Sequence, residues 1–496
     1  MVNTSPKAAK PAASAPSGFD AYFEVTKRGS TIGREVRGGL VTFFTMAYII
    51  VLNPLIIGTT PDQAGNLITG VSAAAATDAE KGAAIAAVAV ATALIGGLLT
   101  IFMGAYARFP LALATGLGLN AVVAYTIAPL VTWPQAMGLV VWEGVLITIL
   151  VLTGLRKAIF NAVPAALRSA ISVGIGLFIA FIGLVDAGIV RPGTPIVQLG
   201  VFGTLQGLPI ALFIVVLLLL IGLFVRKVKG AILIAILTGT VLAVIIEAVF
   251  KLGSKSDDNH TGWMLNVPTL AEFQAPNFTL LGRVDLFGAF AGGPTVVIGL
   301  LLLVFSLLLS DFFDTMGTIV AVGAEGDLLA DNGTPPRTQE ILLVDSVAAI
   351  AGGLGSVSSN TSYIESAAGV GEGARTGIAS LVTGAAFLLS IFLAPLVDMV
   401  PSEAAAPALV FVGFLMMSQV TTIDWQQPEQ AIPAFLTLTL MPFTYSITVG
   451  IGAGFISYVL IKLLLGKAKE VQPLIYVVAG CFLLYFAQGA IAGLLG

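Results

Sequence analysis

Residues 352–377 read GGLGSVSSNTSYIESAAGVGEGARTG, a polar interruption in a chain that is otherwise strongly apolar. Around them the composition is 57% hydrophobic and 10% charged, with a mean hydropathy of +1.00. A soluble globular chain carries about 25% charged residues. Windows of about 20 residues with few charges, the length a helix needs to cross a bilayer, recur along nearly the whole chain of 496 residues. The chain is therefore read as an all-α polytopic membrane protein with no separate soluble catalytic domain between its spans. In that setting 352–377 is too short and too polar for an ordinary span. Its hydroxyl, β-favouring and capping residues predict an extended stretch followed by a half-helix, tolerated at membrane depth only where it lines a protein-buried cavity. A second run, FPLALATGLGLNAVVAY at 109–125, predicts another. Each half-helix would start near the midplane, offering unpaired N–H groups and a positive dipole end to a polar ligand. Ordinary small-residue helix packing is the alternative reading of both runs.

Working outward, about fourteen segments follow, near 37–58, 83–104, 112–129, 133–154, 167–187, 208–225, 230–250, 295–322, 340–354, 361–371, 376–397, 404–420, 430–446 and 447–465. The run 471–496 is apolar enough to be a fifteenth. FFTMAYIIV from Phe43 is similar to FFDTMGTIV from Phe312, and VPAALRSAISVGIGLF from Val163 to VPSEAAAPALVFVGFL from Val400, in the same order in both halves. Seven segments thus recur as seven more. An odd repeat enters the membrane with opposite orientation, the inverted-repeat design that puts a substrate site near the midplane. The two polar runs occupy the third position of each half. With the N-terminus inside, the 23 basic residues divide 18 to 5 in favour of the inner side, which sets the orientation and leaves the polar loop 251–293 outside.

Within the eighth segment, SLLLSDFFDTMGTIV (306–320) carries Asp311 and Asp314. An Asp at a helix centre costs roughly 2.5–3.5 kcal/mol on insertion scales and marks a functional site by default. Asp311 lies about 24 Å along its span, too deep to snorkel. Asp311, Asp314 and Thr315, at i, i+3 and i+4, are expected on one helix face, with one acid meeting a ligand and the other titrating or holding a neighbouring half-helix. Asp345 and Glu365 are further acids at membrane depth. Glu365 has two readings: a ligand contact, or the far end of a Ser362-x-x-Glu365 capping box. Glu325, Asp327, Asp331 and Glu340 read as a solvated inner loop.

One cysteine, Cys481, and one histidine, His260, exclude a disulfide framework and argue against a Cys/His metal site. No cofactor, metal or catalytic residue is expected. Residues 1–20 lack an apolar signal core and read as a disordered cytoplasmic tail. The net charge of −4 decides nothing about partners, and no nucleic-acid partner is expected. An ion channel would want acid rings or an open polar path. An intramembrane aspartyl protease would want a Gly-x-Gly-Asp motif, which Gly323-Ala-Glu-Gly-Asp327 does not match.

GREVRGGLVTFFTMAYIIVLNP from Gly33, ATGLGLNA from Ala114, DFFDTMGT from Asp311 and TSYIESAAGVGEGARTG from Thr361 resemble the AzgA-like purine permeases of the nucleobase–ascorbate transporter superfamily. The resemblance implies fourteen segments in two inverted repeats, with a core domain (33–154 and 294–397), a gate domain (164–250 and 400–466), and dimerisation through the gate. It implies proton-coupled uptake of hypoxanthine, guanine or adenine across the plasma membrane. By position, Asp311, Glu365, Thr315 and Asn120 would contact the substrate, and Asp345, with Asp314, would handle the proton. The Asn-x-Gly signature of the xanthine and uracil branches is replaced here by Ser366-Ala-Ala-Gly369, which argues against those substrates. An anion exchanger of the same fold is the other alternative, disfavoured because Asp311 and Glu365 would repel its substrate.

Overall fold

Apolar runs become helices, and the polar interruptions become breaks between them. In the computed structural model, which describes residues 18–154, 163–194, 196–270, 275–330 and 334–495, ten helices among the described residues are long and apolar enough to cross a membrane. The first expected span is two helices, α1 (Ile32–Met46) and α2 (Ile49–Ile57), parted at Ala47–Tyr48 with the Tyr48 ring buried. Helix α3 (Asp78–Phe102) begins at a Thr77–Glu80 capping box. The third position holds a short strand, β1 (Leu113–Thr115), and a half-helix, α4 (Leu117–Val122), before α5 (Trp133–Thr153). Next come α6 (Ala165–Asp186), the hairpin β2 (Val190–Pro192) and β3 (Val197–Leu199), α7 (Leu208–Val225) and α8 (Ala231–Phe250).

The second half repeats the order. Helices α9 (Pro294–Glu325) and α10 (Thr338–Leu354) lead to β4 (Asn360–Ser362) and the half-helix α11 (Ser366–Gly371). Then follow α12 (Gly377–Ser390), α13 (Ser402–Met417), α14 (Pro428–Phe443) and α15 (Ile447–Leu464). All fourteen expected segments fall on these elements, and the apolar run 471–496 forms a helix, α16 (Pro473–Leu495), packed on α15 and α9. The expected tail needs a correction at its end. Gly18–Phe23 is helical, because Phe23 and Val25 find an apolar seat against Ile378. The rest of the tail, Arg156, Lys157 and Asp331 lie outside the described residues.

The two half-helix runs meet at the centre. Strands β1 and β4 pair antiparallel, Leu113 with Ser362, Ala114 with Thr361 and Thr115 with Asn360, all six residues buried. Two more backbone bonds, Gly116 N–H to Ser359 O (3.1 Å) and Tyr363 N–H to Ala112 O (3.0 Å), extend the ribbon. Strand backbone at membrane depth has no water to bond, so each strand satisfies the other. Equivalent strands related by a two-fold axis perpendicular to them run antiparallel, which suits an inverted repeat. The half-helices α4 and α11 leave opposite ends of the ribbon.

Around it the helices pack in two sets. Helix α3 packs on α12, α5 on α10, and α1 on α12 and α11; α6 packs on α13 and α14, α14 on α15, and α7 on α8 and α13. The contacts are close because small residues meet: a Cβ on Gly377 would collide with the Gly104 carbonyl.

Candidate functional site

Strand β4 brings its side chains against α9 and α10. The Asp345 carboxylate on α10 accepts hydrogen bonds from Thr315 Oγ1 and Ser362 Oγ, both at 2.8 Å, and Thr315 Oγ1 lies 2.8 Å from Thr361 Oγ1. Asp345, Thr315, Thr361 and Ser362 are all buried. A hydroxyl chain thus links α9, β4 and α10 through one carboxylate. Behind it Asp311 is 0% exposed, close to Glu143, Asp345 and Asp314, with the Thr361 hydroxyl near its carboxylate.

Asp314 points elsewhere. At 100° per residue, Thr315 lies about 40° from Asp311 around the helix and Asp314 about 60° to the other side. The expected single face is therefore split: Asp311 and Thr315 face β4 and are buried, while Asp314 is exposed. Asp314 shares this open side with Glu365, which is half-buried, and the two acids act on each other. Glu365 Oε1 accepts the hydroxyl hydrogen of Tyr48, the residue freed by the α1–α2 break.

The capping-box reading of Glu365 is not what the structure holds. Ser362 is a strand residue whose hydroxyl is taken by Asp345, and Glu365 makes no side-chain cap to α11. Asn120 sits in α4, fully buried, donating to Thr115 Oγ1 at 3.1 Å with its carbonyl oxygen unpartnered. Tyr363 fastens the ribbon by donating to Thr115 O at 2.6 Å. On the other helix set, the Arg168 guanidinium of α6 lies 5.8 Å from the centre of the Phe313 ring, next to Asp314 in sequence.

Two residues of this site were not among the expected ones. Glu143 on α5 is fully buried, accepts from Ser359 Oγ at 2.9 Å, and lies within hydrogen-bonding reach of Asp311. Its signal was present as a lone acid in the apolar stretch VVWEGVL (140–146), hidden by the hydropathy of the segment as a whole. Tyr48 carried no signal, since its role depends on a helix break that an apolar run does not announce.

Similarities to known proteins fit this arrangement. Residues 33–453 match the family model described as "Permease family". The adenine permease AdeP of Escherichia coli K12 is 35% identical over 94% of this chain and 95% of its own. The guanine/hypoxanthine permease PbuG of Bacillus subtilis 168 is 36% identical over 94% of this chain and 98% of its own. Among solved structures, the murine Slc26a9 anion transporter in the inward-facing state superposes with a TM-score of 0.60 at 13% identity, over 92% of this chain and 74% of that one. The transmembrane domain of the cyanobacterial bicarbonate transporter BicA gives 0.57 at 16% identity, over 85% and 97%. The fold is shared with those transporters, and by sequence this multi-pass membrane protein, a transporter and not an enzyme, belongs to the permease family.

Proposed function

We propose that this protein takes up purine nucleobases (hypoxanthine, guanine or adenine) together with protons, by alternating access in the plasma membrane, with its N-terminus in the cytoplasm. The observation that carries the reading is the pair Asp314 and Glu365 on the open side of the β1–β4 ribbon, at the meeting point of two broken segments. The names of the relatives, one for adenine and one for guanine and hypoxanthine, support the substrate class.

A neutral purine presents N–H donors and ring-nitrogen or carbonyl acceptors along one edge. A carboxylate accepts such N–H groups, each bond to a charged acceptor contributing about 1.5–3 kcal/mol. Glu365 meets that edge first. Asp311 and Thr315, buried in this structure, and Asn120, with its free carbonyl oxygen, complete the site as the ligand seats between the half-helices. Asp345 and Asp314 handle the proton. One pH unit supplies about 1.4 kcal/mol per proton and 100 mV about 2.3 kcal/mol per charge, together enough for accumulation of a few hundred-fold.

In this reading the α1–α5 and α9–α12 set (33–154, 294–397) is the core that carries the site. The α6–α8 and α13–α15 set (164–250, 400–466) is the gate it moves against, and the surface through which two copies associate. Anion exchange fits less well, although the two solved neighbours are named a bicarbonate transporter and an anion transporter, because acids line the open side.

The test is competition for labelled hypoxanthine on purified protein. Guanine or adenine should displace it while xanthine, uracil and bicarbonate do not. Equal displacement by uracil or xanthine, or binding of bicarbonate alone, overturns the substrate assignment.

A further inference from the structure

Glu143 takes no part in the reading above, yet it is as enclosed as Asp311. It projects from α5 where Gly144 lets α5 close on α10, and a Cβ at Gly144 would stand 2.6 Å from the Ile350 nitrogen. One oxygen, Oε2, is held by Ser359 Oγ at 2.9 Å, and Ser359 also bonds the ribbon through its carbonyl to Gly116 N–H. The other, Oε1, has no partner, and Asp311 has the Thr361 hydroxyl close by, whose hydrogen is drawn to Thr315 because Thr315 gives its own to Asp345. Both residues are 0% exposed. The charged groups acting on Glu143 are Asp311 and Asp345; those acting on Asp311 are Asp345, Glu143 and Asp314, all of them acids.

Two buried carboxylates within hydrogen-bonding reach, each with an oxygen that lacks a donor, want one thing: a hydrogen between them. Two carboxylates in contact cannot both stay ionised where water is excluded, and a buried acceptor without a donor is costly. Asp345 meets its need differently, accepting from Thr315 and Ser362, and Glu365 accepts from Tyr48.

We infer that Glu143 and Asp311 form an acid pair that holds one proton, with the Glu143 carboxyl donating to Asp311, and that this is the proton carried with the substrate. The inference rests on the symport reading and deepens it: the carried proton sits on the Glu143–Asp311 pair, and Asp345, which acts on both of these acids, governs how the pair holds it. With the proton present, Asp311 is an oriented, singly charged acceptor that can receive a purine N–H on its outer oxygen. When the pair loses the proton, the two carboxylates repel and Asp311 is no longer held in place. One proton enters the pair from outside as the purine binds, and the same proton leaves inside as the purine does. Asp314, three residues along α9 and exposed, is its route to water. Glu143 is thus a positioning residue that acts through Asp311.

Substitution E143Q is close in shape to the protonated acid: its amide oxygen can accept from Ser359 and its NH2 can donate permanently to Asp311. In wild-type protein, purine affinity should fall with rising pH above the midpoint of the pair, by about tenfold per pH unit for one linked proton. In E143Q the number of linked protons should drop by about one, with affinity at acid pH within a few-fold of wild type. Infrared spectroscopy should find a protonated-carboxyl stretching band, shifted by deuterium exchange, that is missing from E143Q. D311N puts an amide donor on the opposite side of the pair and should lose the same band, which keeps the inference testable should E143Q not fold. An unchanged pH slope in folded E143Q, or the same carboxyl band in wild type and both variants, overturns the inference while leaving symport intact. A wild-type protein with no pH-dependent affinity and no proton-driven accumulation overturns symport itself, and the inference with it.

Discussion

Replacing Glu365 by Gln should weaken purine binding about ten- to a hundredfold. The carboxylate is half-buried on the open side of the ribbon, with Oε1 engaged by the Tyr48 hydroxyl and the rest of the group facing the space the purine would enter. Gln keeps the size but turns one acceptor oxygen into an NH2 donor and removes the charge. A hydrogen bond to a charged group contributes about 1.5–3 kcal/mol, and about 1.4 kcal/mol is tenfold in a binding constant. Tyr48→Phe separates contact from orientation: it leaves the carboxylate in place but removes the donor that aims it. Because that bond aims the carboxylate and does not itself meet the purine, its loss should cost less than the roughly tenfold or more expected for Glu365→Gln. If Tyr48 acts only through Glu365, adding Tyr48→Phe to Glu365→Gln should cost little more than Glu365→Gln alone. The assay is calorimetric titration of hypoxanthine into detergent-purified protein, with monodisperse gel filtration as the check on folding. Near-native affinity in a well-folded Glu365→Gln protein would refute the recognition role of this residue.

Three other expectations concern coupling, orientation and stability. Asp345→Asn, which disturbs a carboxylate that accepts from both Thr315 and Ser362, should abolish concentrative uptake while leaving purine binding measurable; accumulation with unaltered pH dependence would remove Asp345 from the proton path. A cysteine at Ser256 should react with an impermeant thiol reagent in intact cells and one at Ala330 should not, both positions being exposed; the reverse order would invert the topology. Asp285, in the loop 251–293, accepts from the backbone N–H of Gly288 (2.8 Å) and Phe287 (3.2 Å), and these bonds hold its carboxyl below the usual carboxylate range. A lowered folded pKa gives stability that is present above the unfolded value and lost as pH falls through the folded one. Asp285→Asn should therefore lower the melting temperature at neutral pH, with the gap closing in acid, and a gap independent of pH would contradict this.

The run 352–377 could be read because it breaks a rule the membrane enforces. Polar, β-favouring residues at that depth must pair with something, and 109–125 was the one counterpart in the matching position. What the residues could not disclose were the partners chosen in three dimensions. The Ser362-x-x-Glu365 spacing suited a cap, but Asp345, distant in sequence, took the Ser362 hydroxyl and Tyr48 took the carboxylate. Helical spacing grouped Asp311, Asp314 and Thr315, while neighbouring elements decided which of the three is buried. Glu143 was readable as an isolated acid in an apolar segment, but its bearing on Asp311 follows only from the way α5 packs against α9 and α10.

The central claim is that purine uptake runs on protons. It is tested most directly by labelled hypoxanthine uptake into liposomes carrying the purified protein, with an acid-outside pH gradient imposed. The account predicts accumulation above the external concentration that collapses when a protonophore is added and that unlabelled guanine or adenine suppresses. Uptake that stops at the external concentration whatever the gradient, or that persists unchanged with the protonophore, would contradict it.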